Sequence, residues 1–298
     1  MTSTSTPVVP WIAQGRERPR VVVLAPPGKP KVHQELYRLR PIIEEHCECI
    51  AIDEKFEYRF GTNEEDLVVV LGGDGSILQS ARQMGRFQRP VLGVNLGRLG
   101  FLAALSPAQF AAIWPTVCAG QIAIIPHLML ECEVFRGDKL VTNQLGLNEA
   151  AILGGPPYSM LQIDLYVDGE LATTYNCDGL IISTPVGSTA HNLSAGGPIL
   201  RKNLQAFVIS PISPHTLTMR PVVDTADRVF ELVLRAPHAS TSVVVDGRVV
   251  CPIGMGQRVR IQKSSQAFQL VNVPGQNDYI TLRDKLGWSG SPSGKQNE

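Results

Sequence analysis

The chain has 298 residues, of which 44% are hydrophobic and 18% are charged, and its 27 basic residues balance its 27 acidic ones. A balanced charge without a basic stripe disfavours a nucleic-acid-binding protein. No apolar stretch reaches the roughly 18–20 residues that a membrane helix needs. The Ser/Thr/Pro-rich start lacks the basic and apolar regions of a secretory signal, so we expect a cytoplasmic protein.

Cysteine spacing offers one candidate metal site. His46, Cys47 and Cys49 are close in sequence, but the two thiols are too close for the usual C-x-x-C pair. Reduced and mostly buried thiols are the interpretation that we favour over a metal site.

The first part of the chain predicts a parallel sheet covered by helices. Residues 1–19 are expected to form a mobile tail, and residues 20–120 an α/β domain, because short Val-rich runs alternate with segments of helical spacing. Pro41 is expected to kink or divide the first long helix. The predicted strands are 20–25, 49–52, 66–71 and 91–95, and the predicted helices are 32–46 and 76–84.

From about residue 121 short β-branched runs replace this alternation, which predicts an all-β domain over 121–268. The pairs Asp168-Gly169 and Asp246-Gly247 are typical of tight hairpin turns. Residues 289–298 are small and polar and predict a second mobile tail. The predicted strands include 161–167, 180–184, 206–209, 229–234, 241–245 and 258–261.

A glycine cluster follows the third predicted strand. Gly72, Gly73, Asp74, Gly75 and Ser76 lead into a predicted helix, so backbone N–H groups at the helix start could meet a phosphate. An Asp in such a loop could accept a proton from an attacking hydroxyl group or help to hold Mg²⁺. The alternative is a plain turn in which Asp74 is the N-cap of the helix.

Three further motifs lie in the second predicted domain. Asn148-Glu149 could bind ribose hydroxyls or form an exposed turn, and the polar stretch 178–198 suits close packing of backbone against a ligand. Ser188 with His191 could suggest a hydrolase, although the G-x-S-x-G pattern is missing. His215, in the stretch 211–221, is more often a structural loop residue than a ligand.

Together these motifs resemble the NAD kinase family. The resemblance rests on GGDGSIL, VLGVNLGRLGFL, LNE, DGLIISTPVGSTAHNLSAGGPIL, PISPHTLTMRPVV and LRDKLGW, and it covers residues 21–288 approximately. It implies a first domain similar to the 6-phosphofructokinase and lipid kinase fold, followed by a β-sandwich. Residues 269–288, with a helix over about 278–286, would return to the first domain.

The resemblance also implies the reaction and its residues. The γ-phosphoryl group of a nucleoside triphosphate, most simply ATP with Mg²⁺, would pass to the adenosine ribose 2′-hydroxyl of NAD and give NADP. Asp74 would be the general base, and Gly72, Gly73 and Ser76 would shape the phosphate-donor loop. The implied substrate-binding residues are Gly75, Asn148, Glu149, Asp178, Thr189, Ala190, His191, Asn192, Leu193, Ser194 and Arg248. No metal ligand can be assigned, and a homodimer or homotetramer is implied.

Two positions depart from the family pattern. His191 replaces the usual Tyr, and Arg248 stands where a neutral amide side chain is more common. A lipid or sugar-phosphate kinase sharing the glycine loop, and a catalytically silent nucleotide-binding regulator, are the two alternative functions.

Overall fold

A computed structural model describes residues 9–61, 64–103, 105–156, 158–236, 240–273 and 278–287. The chain divides into two compact units, residues 1–125 with 269–298, and residues 126–268. The sequence-based division placed the first boundary after residue 120 and the second after residue 268. Within the described ranges, no helix is both long and apolar enough to cross a membrane. The predicted tail at 289–298 lies outside the described residues.

The elements are numbered in chain order. The first ones are α1 (Pro10–Ala13), β1 (Arg20–Leu24), α2 (Pro30–His46), β2 (Glu48–Asp53), β3 (Leu67–Leu71), α3 (Asp74–Met84), β4 (Val91–Val94) and α4 (Pro107–Cys118). Next come β5 (Ala123–Arg136), β6 (Lys139–Gly146), β7 (Glu149–Leu153), β8 (Leu161–Val167), β9 (Glu170–Cys177), β10 (Gly179–Ser183), α5 (His191–Ser194) and β11 (Ala206–Ile212). The last are β12 (Val222–Thr225), β13 (Phe230–Leu234), β14 (Ser242–Val245), β15 (Arg248–Pro252), β16 (Gln257–Asn272) and α6 (Asp278–Leu286).

The first unit contains a parallel sheet in the order β2-β1-β3-β4. Its strands β1, β3 and β4 are almost continuous runs of Val and Leu, and their side chains are buried. Runs that are apolar at every position indicate strands covered on both faces, and parallel neighbours need crossover connections such as α2 and α3. The predicted α/β organisation is therefore confirmed.

Helix α2 continues through Pro41, so of the two expectations for this residue the division is wrong, and the kink stays a prediction. Its buried residues Val32, Leu36, Leu39 and Ile43 follow helical spacing and join the core. Pro41 lies on the exposed face, where water can hydrate the carbonyl oxygen that loses its backbone partner.

Helix α4 has no counterpart among the predicted elements, although its start carries a clear signal. Ser106 and Gln109 form a capping box, and Pro107 occupies the first turn. Phe110 and Trp114 are fully buried, and the indole Nε1 of Trp114 donates to the carbonyl oxygen of Ile43 in α2 at 3.2 Å. This hydrogen bond and the apolar contacts hold α4 against α2.

Residues 9–19 are not a mobile tail, in contrast to the sequence-based expectation. Trp11 in α1 is fully buried, and its Nε1 donates to the carbonyl oxygen of Cys118 at 3.0 Å. Val9 is buried beside it, and Arg16 forms an ion pair with Asp66. A large aromatic side chain and a buried hydrogen bond thus fix this segment on the first unit.

The second unit is a β-sandwich, as predicted. One antiparallel sheet contains β16, β13, β8 and β9 in that order, with β5 beside β16 and β6 beside β5. The other has the order β12-β11-β10-β7-β14-β15. Alternate side chains of both sheets, such as Leu232 of β13 and Ile182 of β10, enter one common core.

Both predicted Asp-Gly hairpins are confirmed. Asp168 and Gly169 have φ angles of 51° and 86° between β8 and β9, and Asp246 and Gly247 have 47° and 73° between β14 and β15. Positive φ at both central residues is the signature of a type I′ turn. The second hairpin matters for the site, because its Asp246 faces the start of β7.

The buried position of Trp11 generates a stability prediction. We expect Trp11→Ala to lower the thermal midpoint of the first unit by about 6–20 °C, since truncating a buried Trp costs about 3–5 kcal/mol. Circular dichroism melts measure this change. Gln14→Ala, at an exposed position of the same segment, is the control and should leave the midpoint unchanged. Equal midpoints for the two variants would contradict the docking of α1.

Candidate functional site

The glycine segment lies at the carboxyl end of β3 and opens α3. Gly72 has a φ of 150°, and a Cβ there would collide with Ser76, which is itself buried. Gly73 is the N-cap of α3, and both Gly73 and Gly75 have open space where a Cβ would lie. Of the predicted donor-loop residues, Gly72 and Ser76 pack internally, and Gly73 has room for a ligand beside Gly75 and Asp74.

Asp74 is held by the loop that follows β4. Its Oδ2 accepts the backbone N–H of Phe101 at 2.8 Å, and its Oδ1 accepts those of Leu102 and Ala103 at 2.9 and 3.1 Å. A Cβ on Gly100 would collide with the same carboxylate. Asp74 is the first residue of α3 and makes no capping hydrogen bond, so the N-cap alternative is wrong.

The carboxylate is fixed but still accessible. The Asp74 side chain is 30% exposed, and Nζ of Lys285 in α6 lies 3.8 Å from its Oδ2. Hydrogen bonds to an ionised acceptor are short and strong, so three of them define the direction of the carboxylate. The Asp74 carboxylate is therefore an oriented hydrogen-bond acceptor at the start of α3, where Gly73 and Gly75 leave open space.

Asn95 shapes the loop that reaches Asp74. It is buried, its Nδ2 donates to the carbonyl oxygen of Arg98 at 2.7 Å, and its Oδ1 accepts the N–H of Gly97 at 2.8 Å. The motif NLGRLGFL was part of the family resemblance, but no role was predicted for Asn95 or Gly100. Asn followed by Gly two residues later is the signal of such a turn.

In the second unit, Asp246 organises the Asn148-Glu149 pair. Its carboxylate accepts three consecutive backbone N–H groups, those of Leu147, Asn148 and Glu149, at 2.9, 2.7 and 3.2 Å. The N–H of Asp246 donates back to the carbonyl oxygen of Glu149 at 3.0 Å. The pair is therefore a rigid strand start and not the exposed turn that was the alternative.

Glu149 is a buried acid whose pKa lies well above its ordinary value. Burial chiefly, and then the charge of Asp246, raise its pKa to about 8, while a hydrogen bond from the backbone of His191 opposes this rise. Its Oε2 is buried and has no hydrogen-bond partner among the described residues. Since buried polar atoms are normally paired, an unpaired oxygen of this kind indicates a position where a ligand would supply the partner.

The stretch 184–194 packs directly on this pair. Oγ1 of Thr184 donates to the carbonyl oxygen of Leu147 at 2.6 Å, and the N–H of Thr184 donates to that of Asn148 at 2.8 Å. A Cβ on Gly187 would collide with the backbone of Asn148. The stretch then forms a 3₁₀ turn over Gly187–Thr189 and the short helix α5.

The predicted residues of this stretch differ in accessibility. Asn192 has no accessible surface, and its amide bonds Ser188, Pro198 and Ser210. Asn192 therefore fixes the loop and does not face a ligand, in contrast to the sequence-based expectation. The remaining predicted residues, Thr189, Ala190, His191, Leu193 and Ser194, are partly or fully exposed.

Ser188 cannot serve as a hydrolase nucleophile in this structure. It is fully buried, its Oγ donates to the carbonyl oxygen of Pro185 at 2.6 Å, and it accepts the N–H of Leu200 at 3.0 Å. The Ser/His hydrolase alternative is excluded on this geometry.

Asp178 and His215 lie together at another exposed part of the second unit. The Asp178 Oδ1 and the His215 Nε2 are 3.5 Å apart, and both side chains are about half exposed. The backbone of His215 donates to the carbonyl oxygen of Asn176 at 2.8 Å. Arg248 is exposed at the start of β15, two residues after Asp246.

The candidate metal site at Cys47 is not formed. The Cys47 thiol is buried, which raises its pKa, and it donates to the carbonyl oxygen of Ile43. Across the part of the chain that the structure describes, no group of three or more His, Cys, Asp or Glu side chains could hold a metal ion.

The comparisons with known proteins all indicate one family. Residues 29–122 match the ATP-NAD kinase N-terminal domain, and residues 147–273 match the ATP-NAD kinase C-terminal domain. A protein named NAD kinase from Rhodopirellula baltica is 60% identical over 290 residues, which are 97% of this chain and 93% of that protein.

Two solved structures share the fold. An NAD kinase from Archaeoglobus fulgidus in complex with ATP has a TM-score of 0.71 and 26% identity, covering 91% of this chain and 100% of that chain. Yeast NADH kinase complexed with NADH has a TM-score of 0.79 and 23% identity, covering 94% and 91%. Neither these structures nor the relative supports the alternative of a lipid or sugar-phosphate kinase.

Glu149 should make stability depend on pH. Its pKa is raised from 4.5 to about 8, so the folded protein keeps a proton that the unfolded chain releases between these values. This contribution to stability is fully present below pH 4.5 and is lost as the pH rises to about 8. We expect Glu149→Gln to gain stability relative to the unmodified protein across this window, by up to about 1.4 kcal/mol for each pH unit.

Thermal melts at several pH values within this window measure the effect. Glu170→Gln, at an exposed position of β9, is the matched control and should follow the unmodified protein at each pH. A pH profile of Glu149→Gln parallel to that of the unmodified protein would show that Glu149 is ionised in the fold.

Proposed function

The chain belongs to the NAD kinase family and phosphorylates NAD, and we propose that Asp74 is the general base of this reaction. In this proposal, the γ-phosphoryl group of ATP passes to the 2′-hydroxyl of the adenosine ribose and gives NADP. The observation that carries it is the Asp74 carboxylate, held by three backbone N–H groups beside the open start of α3.

The geometry of Asp74 suits a base that acts by position. In the loose transition state of phosphoryl transfer the hydroxyl proton leaves late, so a strongly basic group is not required. What the reaction requires is an acceptor at a fixed place, within hydrogen-bond reach of the hydroxyl group. The three N–H groups fix the carboxylate, and its 30% exposure leaves lone pairs for the substrate.

The proposed donor site is the start of α3. Gly73 and Gly75 leave the backbone open on both sides of Asp74, and a helix N-terminus attracts phosphate oxygens. The related structure from Archaeoglobus fulgidus in complex with ATP supports ATP as the donor.

Mg²⁺ fits this site as part of the donor. No cluster of metal-ligating side chains exists among the described residues, and Mg²⁺ usually binds through substrate phosphates with few protein ligands. We therefore propose that Mg²⁺ enters as the ATP complex, where it would neutralise phosphate charge. Backbone N–H groups of α3 would orient that complex.

The proposed acceptor site uses residues of the second unit. With a pKa of about 8, Glu149 carries a proton at neutral pH, so it can donate one hydrogen bond to a ribose hydroxyl and accept another. Its unpaired Oε2 and the partly or fully exposed residues of the neighbouring stretch, 189–191, 193 and 194, support this assignment. Asn148, Asp178 and Arg248 are proposed as further contacts to NAD.

Location and assembly complete the proposal. We infer a cytoplasmic protein, because all six cysteines are free thiols, which suits a reducing compartment. We also infer a homodimer or homotetramer, because Val222 and Val223 are about half exposed on β12, an edge strand. A single 32.4-kDa species in analytical ultracentrifugation would contradict that assembly.

Replacing the proposed base tests the mechanism. We expect Asp74→Asn to lower kcat by about 10²–10⁴-fold, the usual contribution of a general base. One amide N–H of Asn would face a backbone N–H of the 101–103 loop, so a stability loss of about 1–3 kcal/mol is also expected. Kinetics with ATP and NAD and a thermal melt measure the two effects separately.

Asp53→Asn is the matched control for this experiment. The Asp53 carboxylate also accepts three backbone N–H groups, those of Lys55, Glu57 and Tyr58, within the same unit. Asp53→Asn should lose comparable stability and keep its kcat. Asp74→Asn with near-normal kcat would remove the base role.

Donor choice is tested by a direct comparison. We expect turnover with ATP and Mg²⁺ to exceed turnover with inorganic polyphosphate by about tenfold or more, because a glycine segment that offers mainly backbone N–H groups suits a metal-chelated donor better than a naked polyanion. Addition of EDTA to the ATP reaction should abolish turnover. Equal rates with polyphosphate in the absence of ATP would overturn the proposed donor.

A further inference from the structure

Lys285 is held against the glycine segment from the far end of the chain. It lies in the last turn of α6, and its Nζ is 3.8 Å from Oδ2 of Asp74 and 4.1 Å from the ring centroid of Phe101. Its side chain is 28% exposed. Arg283 in the same helix is 60% exposed and pairs with the neighbouring Asp284. Lys285 therefore reaches the Asp74 carboxylate, whereas Arg283 pairs with its neighbour on the same helix.

The contacts of Lys285 converge on one oxygen and one loop residue. Oδ2 of Asp74 accepts the backbone N–H of Phe101, and the ring of the same Phe101 lies under the ammonium group. At 3.8 Å the pair is an electrostatic contact, longer than a hydrogen bond. The aromatic face supplies a second attraction that holds the ammonium group in place.

A carboxylate at a phosphate site needs such a partner. The donor phosphates carry several negative charges, and their approach to Asp74 is repulsive at short range. The backbone N–H groups of 101–103 orient the carboxylate but bring no net charge. Lys285 is the one side chain among the described residues that forms an ion pair with Asp74.

Building on the proposed function of Asp74, we propose that Lys285 is a positioning residue whose ammonium group keeps the Asp74 carboxylate in its reactive orientation while the donor phosphates bind. Lys285 acts through Asp74 and contacts neither substrate. The LRDKLGW motif near the end of the chain thus has a part in the reaction, because α6 delivers Lys285 to the start of α3.

The role predicted for Lys285 is separable from a role in stability. Partly exposed ion pairs contribute little to stability, so removing the charge should leave the fold intact. Lys285→Met keeps an apolar stem over Phe101 and removes the ammonium group. Lys285→Arg keeps the positive charge and its attraction to the ring.

The experiment compares five variants of the full chain with ATP, Mg²⁺ and NAD. Lys285→Met should lower kcat by about 10–100-fold, the effect of misplacing a catalytic group, with less than about threefold change in either KM. Lys285→Arg should restore at least about a third of kcat, because it restores the charge. Arg283→Met is the matched control on α6 and should keep its kcat. The fourth variant is Asp74→Asn, and the fifth combines Asp74→Asn with Lys285→Met.

The double variant decides whether Lys285 acts through Asp74. If it does, Lys285→Met should change kcat by less than about twofold in the Asp74→Asn background, since effects of residues that act as a unit are not additive. Full additivity would overturn the proposal, because Lys285 would then act independently. A raised KM for ATP with unchanged kcat would also overturn it, because it would indicate direct binding of the donor.

Structural failure and failure of the base role have distinct signatures. A large drop in the thermal midpoint shared by Lys285→Met and Lys285→Arg would overturn the proposal in favour of a packing role. Normal kcat in Asp74→Asn would refute the base role itself. Loss of kcat in Asp74→Asn with normal kcat in Lys285→Met would refute the present inference alone.

Discussion

One carboxylate that accepts three backbone N–H groups determines the geometry of the glycine segment. Asp74 begins α3, and the loop 101–103 follows the neighbouring strand, so these hydrogen bonds join two connections at one edge of the sheet. Position 100 requires glycine, because a Cβ there would collide with the Asp74 carboxylate. A carboxylate at a helix N-terminus is further stabilised by the helix dipole. The side chain proposed as the base is thus also the one that holds its own surroundings in place.

In the second unit the Asp246 carboxylate also accepts three backbone N–H groups, and it raises the pKa of the neighbouring Glu149. It binds the N–H groups of 147–149 and so places a second negative charge near Glu149, which is already buried. Both effects raise the pKa of Glu149 to about 8, which favours its protonated form at neutral pH. Asp74 is partly exposed, and Glu149 is enclosed and unpaired at Oε2. Environment, rather than residue type, therefore makes the Asp74 carboxylate an oriented acceptor and favours the protonated form of Glu149.

The parts of the fold that local patterns encode could be predicted, and those that depend on distant partners could not. Val-rich runs and Asp-Gly pairs gave the strands and hairpins, because burial on both faces and type I′ turns have local signatures. The docking of Trp11 depends on Cys118, and the ion pair of Asp74 depends on Lys285. Nothing near either residue in sequence indicates its partner. Helix α4 is different, because the Ser106 capping box is a local signal from which the start of the helix can be predicted.

The sequence also does not distinguish the glycines of the glycine segment, which occupy two kinds of position: one packs against a side chain, and two face open space. Position 72 requires glycine because the buried Ser76 side chain fills the space beside it, so these two residues pack inside the turn. Gly73 and Gly75 have open space, and they flank Asp74 on the first turn of α3. Only these positions could admit a phosphate group close to the backbone. A donor bound there would lie next to the Asp74 carboxylate, and its phosphate charges would repel that carboxylate. The backbone N–H groups, the dipole of α3 and the ammonium group of Lys285 each offset this repulsion.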